Sequence, residues 1–412
     1  MPSAGDGSTF RVGLLGHGTV GSAFARLLPE QAARIEVITG YRPELAGIVT
    51  TSRGSFDELL EHSDLIVELM GGIVPARDYV LRAIESGRHV VTANKQLLSQ
   101  YGEELWHAAR THGVQLRFEG AVAGVVPVIR VIQESLAGAR IDRVHGIVNG
   151  TTNFILTEMA RTGMTFEDAL AEAQRLGYAE ADPTEDVDGR DAAAKMAILA
   201  RLAFDTPVRL DQVRFQGIEQ IQPDDLEYAE ELGLHLKLIG TAERIDDGLS
   251  VRVHPAFLYP SHPLASVSGP FNAVTVESEE ITEITMSGPG AGGPQTASAI
   301  LGDVISAMIP PASTPPTSRR LEIVEDVVSA FYLHLEVADR PGVLAQVAKV
   351  LADDGVSVKS VVQKGLGEQA RLVMVLHPVL ESHFEAAIKQ LARLEVLRSP
   401  PRAIRVLEEE FG

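Results

Sequence analysis

Between Gly177 and Lys195 the chain reads GYAEADPTEDVDGRDAAAK, with Glu180, Asp182, Glu185, Asp186, Asp188 and Asp191 ahead of one lysine, Lys195. Asp188-Gly189 marks a turn, and Asp191 to Leu199 has the pattern of a helix, so Asp191 and Lys195 stand at i,i+4 and share a face. Three readings are open. The pair could be an exposed ion pair at an acidic helix start, worth about a few tenths of a kcal/mol. It could belong to a calcium loop, but with Gly189 as the turn glycine the first ligand position falls on Thr184 and the twelfth on Lys195, which breaks the pattern. Or it could be an active site, with carboxylates to hold an ammonium and a lysine to deliver a proton.

A second chemical motif lies near the N-terminus, where the apolar run RVGLL (11–15) is followed by GHGTVG (16–21). This is G-x-G-x-x-G at the end of a strand and the start of a helix, the setting that binds a dinucleotide. Gly16 permits the tight turn, Gly18 lets backbone approach a pyrophosphate, and Gly21 lets helix pack on strand. The helix start at Thr19 and Val20 offers N–H groups to phosphate. A purely structural glycine turn is the competing reading. The second strand ends in AGIVTTSR, which supplies Thr50, Thr51, Ser52 and Arg53 but no carboxylate for ribose hydroxyls. Donors and a guanidinium favour a ribose phosphate, hence NADP(H), with NAD(H) as the alternative.

The elements around these motifs fall into three blocks. Up to about residue 137, short apolar strands (RVGLL, Leu45 to Thr50, DLIVEL, HVVTA) alternate with amphipathic stretches (Thr19 to Leu28, Ser55 to Glu61, Ala76 to Ser86), which implies βαβ units and a parallel sheet. From Gly138 the character shifts: RVHGIVNG suggests a strand entering a turn, and Thr165–Leu176 and Arg190–Phe204 read as helices. The β-branched and aromatic content of 236–285 favours antiparallel sheet. GPGAGG (288–293) leads into a helix from Thr296 to Met308, and PPASTPPTSRR (310–320) reads as a linker. Residues 330 to 410 then read βαββαβ. Within the central block, Asn149, Thr151, Thr152 and Asn153 form a polar run that either meets a substrate or serves as turn and helix cap.

With 412 residues, a formal net charge of −20 and no apolar run of about 20 residues, the chain is an acidic multidomain protein with no bilayer-spanning segment. Its charge argues against nucleic acid and anionic membrane as partners. No cysteine is present, which removes disulfides, thiolate zinc sites and thiol nucleophiles together. The start, MPSAGDGST, lacks the basic and apolar regions of a leader, and a cytoplasmic location is expected.

Taken in order, GHGTVG, VVTANKQLLS (90–99), FEGAVAGVVPVI (118–129), GIVNGTTNFIL (146–156), GYAEADPTEDVDGRDAAAK and GPGAG (288–292) resemble the homoserine dehydrogenase family over about residues 10 to 310. Residues 331–409, with LEVADRPGVLAQVAKVLADDGVSV, resemble an ACT domain. The resemblance implies a Rossmann-type nucleotide-binding domain over 1–137, completed by 293–309. An α+β catalytic and dimerisation domain would follow at 138–292, then a linker at 310–329 and an ACT regulatory domain at 330–412. It implies that Lys195 donates the proton beside Asp191, that Lys95 lies near nicotinamide and substrate, and that Glu180 and Asp186 hold the substrate amino group. It further implies a sodium site at Glu119, Val122, Gly124 and Val126, a cofactor contact at Gly292, and an amino-acid effector, threonine, beside Asp339 and Gly342. A homodimer or homotetramer is the expected assembly.

The implied reaction is NADPH-dependent, reversible reduction of L-aspartate 4-semialdehyde to L-homoserine, in threonine, methionine and isoleucine biosynthesis. Chemistry agrees: hydride addition builds negative charge on oxygen, which an ammonium at Lys195, assisted by Lys95, can meet. Oxidation to an acyl phosphate would need a cysteine thioester, which this chain cannot form. The alternatives are a non-catalytic NADP-binding amino-acid sensor, or a dehydrogenase for a related amino-acid aldehyde.

Overall fold

The structure, a computed structural model, describes residues 8–309, 321–364 and 370–407. It divides into two compact units. One takes in the chain up to Gly150, Asp191–Val213, and the stretch from Pro270 through the helix Gly293–Met308. The other takes in Thr151–Arg190, Arg214–Gly269 and the described residues from Glu322 onward.

The first unit begins β1 (Ser8–Leu15), α1 (Thr19–Thr39), β2 (Tyr41–Val49), α2 (Phe56–Glu61), β3 (Leu65–Glu68), α3 (Ala76–Glu85), β4 (His89–Thr92), α4 (Lys95–Thr111) and β5 (Leu116–Arg117). All five strands are parallel, in the order β2-β1-β3-β4-β5. The order reverses between β1 and β3, which is where open α/β sheets leave a crevice at the carboxyl ends of their strands. Strand β3, LIVE, is buried along its whole length, so both sheet faces need a helical cover. On one face Phe24, Leu28 and Ile35 of α1 pack with Ala297, Ile300 and Val304 of the helix Gly293–Met308. On the other, Leu59, Val80, Ile84, Leu97 and Leu105 of α2, α3 and α4 close the core.

Helix α1 runs well past the amphipathic stretch that ended at Leu28. Pro29 lies inside it, exposed, and the helix continues to Thr39 before Gly40 stops it at a φ of 79°. An interior proline costs about 3 kcal/mol. Burial of Ala32 and Ile35 extends the stripe of Phe24 and Leu28 and offsets that cost. Because Gly40 turns the chain at once, β2 starts at Tyr41 rather than Leu45. The helix expected from Thr296 begins at Gly293, with Pro294 accepted in its first turn.

In the first unit, the strand Phe271–Ser278 also pairs antiparallel with both Arg143–Ile147 and Thr282–Pro289. The Ala-rich helix Arg190–Phe204 is buried along most of its length. In the second unit, His235–Ile245 and Gly248–Leu258 form an antiparallel hairpin. The βαββαβ segment follows as Val328–Glu336, Val343–Asp353, Val358–Lys364, Arg371–Leu376, Glu381–Leu391 and Arg402–Leu407. Its last strand runs parallel to Gly248–Leu258. The proline-rich stretch 310–320 lies outside the described residues, whereas Glu322–Ile323 forms a short strand beside Gly248–Leu249. Among the described residues, no helix is long and apolar enough to cross a membrane.

Candidate active site

The glycine loop ends β1. Gly16 has a φ of 93°, and a Cβ on it would lie 2.6 Å from the carbonyl oxygen of Leu69, at the end of β3. A Cβ on Gly21 would lie 2.2 Å from the carbonyl oxygen of Gly16, so only glycine lets α1 begin this close to the strand. Gly18, at the helix N-cap, faces open space. The start of the helix Gly293–Met308 abuts the same point: a Cβ on Gly293 would lie 3.1 Å from the carbonyl oxygen of Thr19. Two helix N-termini, with their unpaired N–H groups and positive dipole ends, therefore meet beside Thr19 and Val20. Gly292, at a φ of 135°, is the N-cap of the second. Past β2, Thr50 and Arg53 close a turn by mutual backbone bonds, and Arg53 is exposed.

A buried network that the sequence reading did not single out fixes the next two loops. Glu68, the acid inside β3, accepts hydrogen bonds from Thr92 Oγ1 at 2.6 Å, Met70 N at 2.8 Å and Gly71 N at 3.3 Å. Burial raises its pKa against the pull of these donors. Asn94 donates to the Gly72 carbonyl at 2.6 Å, and its Oδ1 caps α4 by accepting from Leu97 N. Lys95 is the first residue of α4, so this network sets the point from which its side chain departs. An acid in an otherwise apolar strand was the available signal.

The lysine from α4 meets the acid–lysine pair of the helix Arg190–Phe204. Asp191 is 2% exposed. Its Oδ1 accepts from Lys95 Nζ, and its Oδ2 lies 2.7 Å from Lys195 Nζ and accepts from Asn149 Nδ2 at 2.8 Å. Lys195 Nζ also donates to the Val148 carbonyl at 2.8 Å. Burial alone would push the Asp191 carboxyl up, but the ammonium groups of Lys195 and Lys95 overcome it and hold the pKa well below the usual carboxylate range. Here, then, are one anion and two cations, with the lysine side chains 32% and 14% exposed.

The remaining residues picked out from sequence sit as follows. In the second unit, Glu180 is exposed on the loop after Phe166–Leu176, and its carbonyl accepts from Gln174 Nε2. Asp186 is half-buried in the short helix Thr184–Val187. In the first unit, both carboxylate oxygens of Glu119 accept backbone N–H groups, of Ile129 at 2.9 Å and Arg130 at 2.8 Å, and burial raises its pKa to about 7. The Val126 carbonyl accepts from Val128 N, and Gly124 has a φ of 66° in the loop that also holds Val122. Asp339 and Gly342 border a cavity of about 380 Å³ at the start of the helix Val343–Asp353. Of the polar run, Thr151 Oγ1 donates to the Tyr178 carbonyl and Asn153 Nδ2 to the carbonyls of Val267 and Gly269.

Comparison with known proteins bears directly on this arrangement. The chain matches the family models for the homoserine dehydrogenase NAD-binding domain at residues 16–119, homoserine dehydrogenase at 127–305, and the ACT domain at 331–396. It is 42% identical to the homoserine dehydrogenase of Mycobacterium tuberculosis, over 98% of this chain and 98% of that protein. It is 41% identical to that of Corynebacterium glutamicum, over 98% and 97%. A solved homoserine dehydrogenase from Thiobacillus denitrificans superposes with a TM-score of 0.92 at 38% identity, covering 97% of this chain and 99% of that one. A hyperthermophilic archaeal homoserine dehydrogenase mutant in complex with NADPH matches 73% of this chain and 97% of its own, at a TM-score of 0.64 and 28% identity. With a parallel nucleotide-binding sheet, a further sheet domain and a C-terminal ACT domain, the chain belongs to the homoserine dehydrogenase family and is an NAD(P)-dependent oxidoreductase.

Proposed function

We propose that the protein reduces L-aspartate 4-semialdehyde to L-homoserine with NADPH, reversibly, on the route to threonine, methionine and isoleucine. The observation that carries this reading is the buried carboxylate of Asp191 held between Lys95 and Lys195. Two ammonium groups on one anion leave a net positive charge where a carbonyl oxygen becomes an alkoxide, and such a charge stabilises the transition state more than the ground state. Lys195 Nζ gives its proton to that oxygen and takes it back in the reverse direction. Asp191 aims both lysines, and Lys95 sits at the nicotinamide side of the substrate. Glu180 and Asp186 hold the substrate's α-ammonium by charge.

Residues of the glycine loop fit the cofactor. A bound nicotinamide dinucleotide supplies the hydride. Gly16, Gly18 and Gly21 give its pyrophosphate room, and the N–H groups at Thr19 and Val20, with Gly292 beside them, suit its charge. Exposed Arg53, with the hydroxyls next to it, favours a ribose phosphate. The oxygens of Glu119, Val122, Gly124 and Val126 are hard donors suited to sodium. Since the Glu119 carboxylate already accepts two N–H groups, backbone carbonyls would hold most of such an ion. The cavity beside Asp339 and Gly342 pairs an acid with Arg340, the charges a zwitterionic effector such as threonine requires. A homodimer or homotetramer is the proposed assembly.

Initial rates with NADPH and NADH, each with and without millimolar threonine, test the reading. The expected result is consumption of NADPH with aspartate semialdehyde, and an Arg53→Ala variant whose KM for NADPH rises about tenfold while that for NADH stays put. Absence of turnover with either cofactor would remove the proposed reaction, and an unchanged rate with threonine would remove the effector.

A further inference from the structure

Lys195 carries three N–H donors on one nitrogen. Two have acceptors: Asp191 Oδ2 at 2.7 Å and the Val148 carbonyl at 2.8 Å. A tetrahedral ammonium with two of its bonds directed has its third direction determined as well. Both constraints trace to one dipeptide after the strand Arg143–Ile147. Val148 supplies the carbonyl, and Asn149 supplies the amide that meets the same Asp191 oxygen from another side at 2.8 Å. Asn149 is 4% exposed, so its amide cannot exchange Asp191 for water without loss. The donor is neutral, so it orients the carboxylate without neutralising it. Asp191 thus remains the full counter-charge for both lysines.

From this geometry we infer that Asn149 is a positioning residue for proton transfer: it locks Asp191, and through Asp191 sets the direction of Lys195. The inference rests on Lys195 being the proton donor. Asn149 needs no contact with substrate. A substitution there should change the pH profile of the reaction and lower kcat while sparing KM, effects that a loop merely holding the fold together would not produce.

The test is the pH profile of homoserine oxidation, which needs Lys195 as the neutral base and so rises with pH. Asn149→Asp places a second carboxylate against Asp191, and added negative charge favours the ammonium, so the rising limb should move up by about one pH unit. Asn149→Ala removes the amide without adding charge and should lower kcat by about tenfold, with KM for cofactor and substrate changed less than about twofold. Should the Asp variant prove insoluble, Asn149→Ser gives the same kcat-against-KM comparison. Profiles and kcat that superpose on the wild type, in variants that bind NADPH and melt normally, overturn the inference. Lys195→Ala is the control: if it turns over normally, the proton-donor reading itself has failed. If it is inactive while the Asn149 variants behave as wild type, the role of Asn149 alone has failed.

Discussion

Two buried carboxylates in this molecule have almost the same surroundings and opposite prospects. Asp191, in the first unit, is flanked by two lysines and an asparagine amide. Asp225, in the second, is 1% exposed and flanked by His334 at 3.3 Å and Arg402 at 3.3 Å, and it accepts from the backbone of Gln222. Arg402 also bonds the ring of His334 at 2.7 Å, so the second cluster closes on itself and ties the helix Pro223–Glu231 to the strands Val328–Glu336 and Arg402–Leu407. What separates the two is the kind of cation. Guanidinium does not surrender a proton in the working pH range, whereas an ammonium does. His334 is 1% exposed, while both lysines reach solvent in part. A buried acid among bases is thus a sign of chemistry only where a base can lose its proton and something can reach it.

This contrast can be broken by removing each acid in turn. The larger effect is expected in the first unit: Asp191→Asn should lower kcat by about a hundredfold or more, because the lysines lose the counter-charge that aims them. In the second, Asp225→Asn leaves Arg402 and His334 without their anion and should cost about 3 kcal/mol of stability, read as a lower denaturation midpoint. Its kcat per folded molecule should stay within about twofold of wild type. If the two variants exchanged phenotypes, the distinction between a reactive and a structural cluster would collapse.

Another buried cation sharpens the same point on a smaller scale. Lys237, 5% exposed, donates from Nζ to the Val267 carbonyl at 2.5 Å, and burial lowers its pKa to about 8. The unfolded chain, with a lysine near 10.4, binds more protons between those two values, so stability should rise with pH across that window. At neutral pH the buried charge is a cost on the order of 3 kcal/mol. Lys237→Met should therefore be more stable than the wild type at pH 7, and the difference should shrink toward pH 10. A difference that is constant with pH would show that this lysine is not held charged against burial.

Legibility in the sequence followed the range of the interactions. The glycine loop was readable because its three constraints lie within six consecutive residues, and the Asp191–Lys195 pair because helical spacing makes it local. Lys95 is 96 residues from Asp191 and became a candidate only through the resemblance of its ANK motif. Asn149 was visible as part of a polar run, but whether it faced substrate, backbone or another side chain was a tertiary fact. Val148 left no trace at all, since its contribution is a carbonyl that every residue possesses. The cluster at Asp225 joins residues 109 and 177 positions away, with no motif among them. In α1, the stripe from Phe24 to Ile35 outweighed Pro29, a balance that local propensity does not reveal.

Lys195 is where the account is most directly exposed. Steady-state reduction of aspartate semialdehyde by Lys195→Ala, alongside NADPH binding to the same preparation, separates proton delivery from cofactor capture. A kcat lower by about a thousandfold with unaltered NADPH affinity is the predicted result. Wild-type kcat in the variant would mean that the acid acting on the carbonyl lies elsewhere.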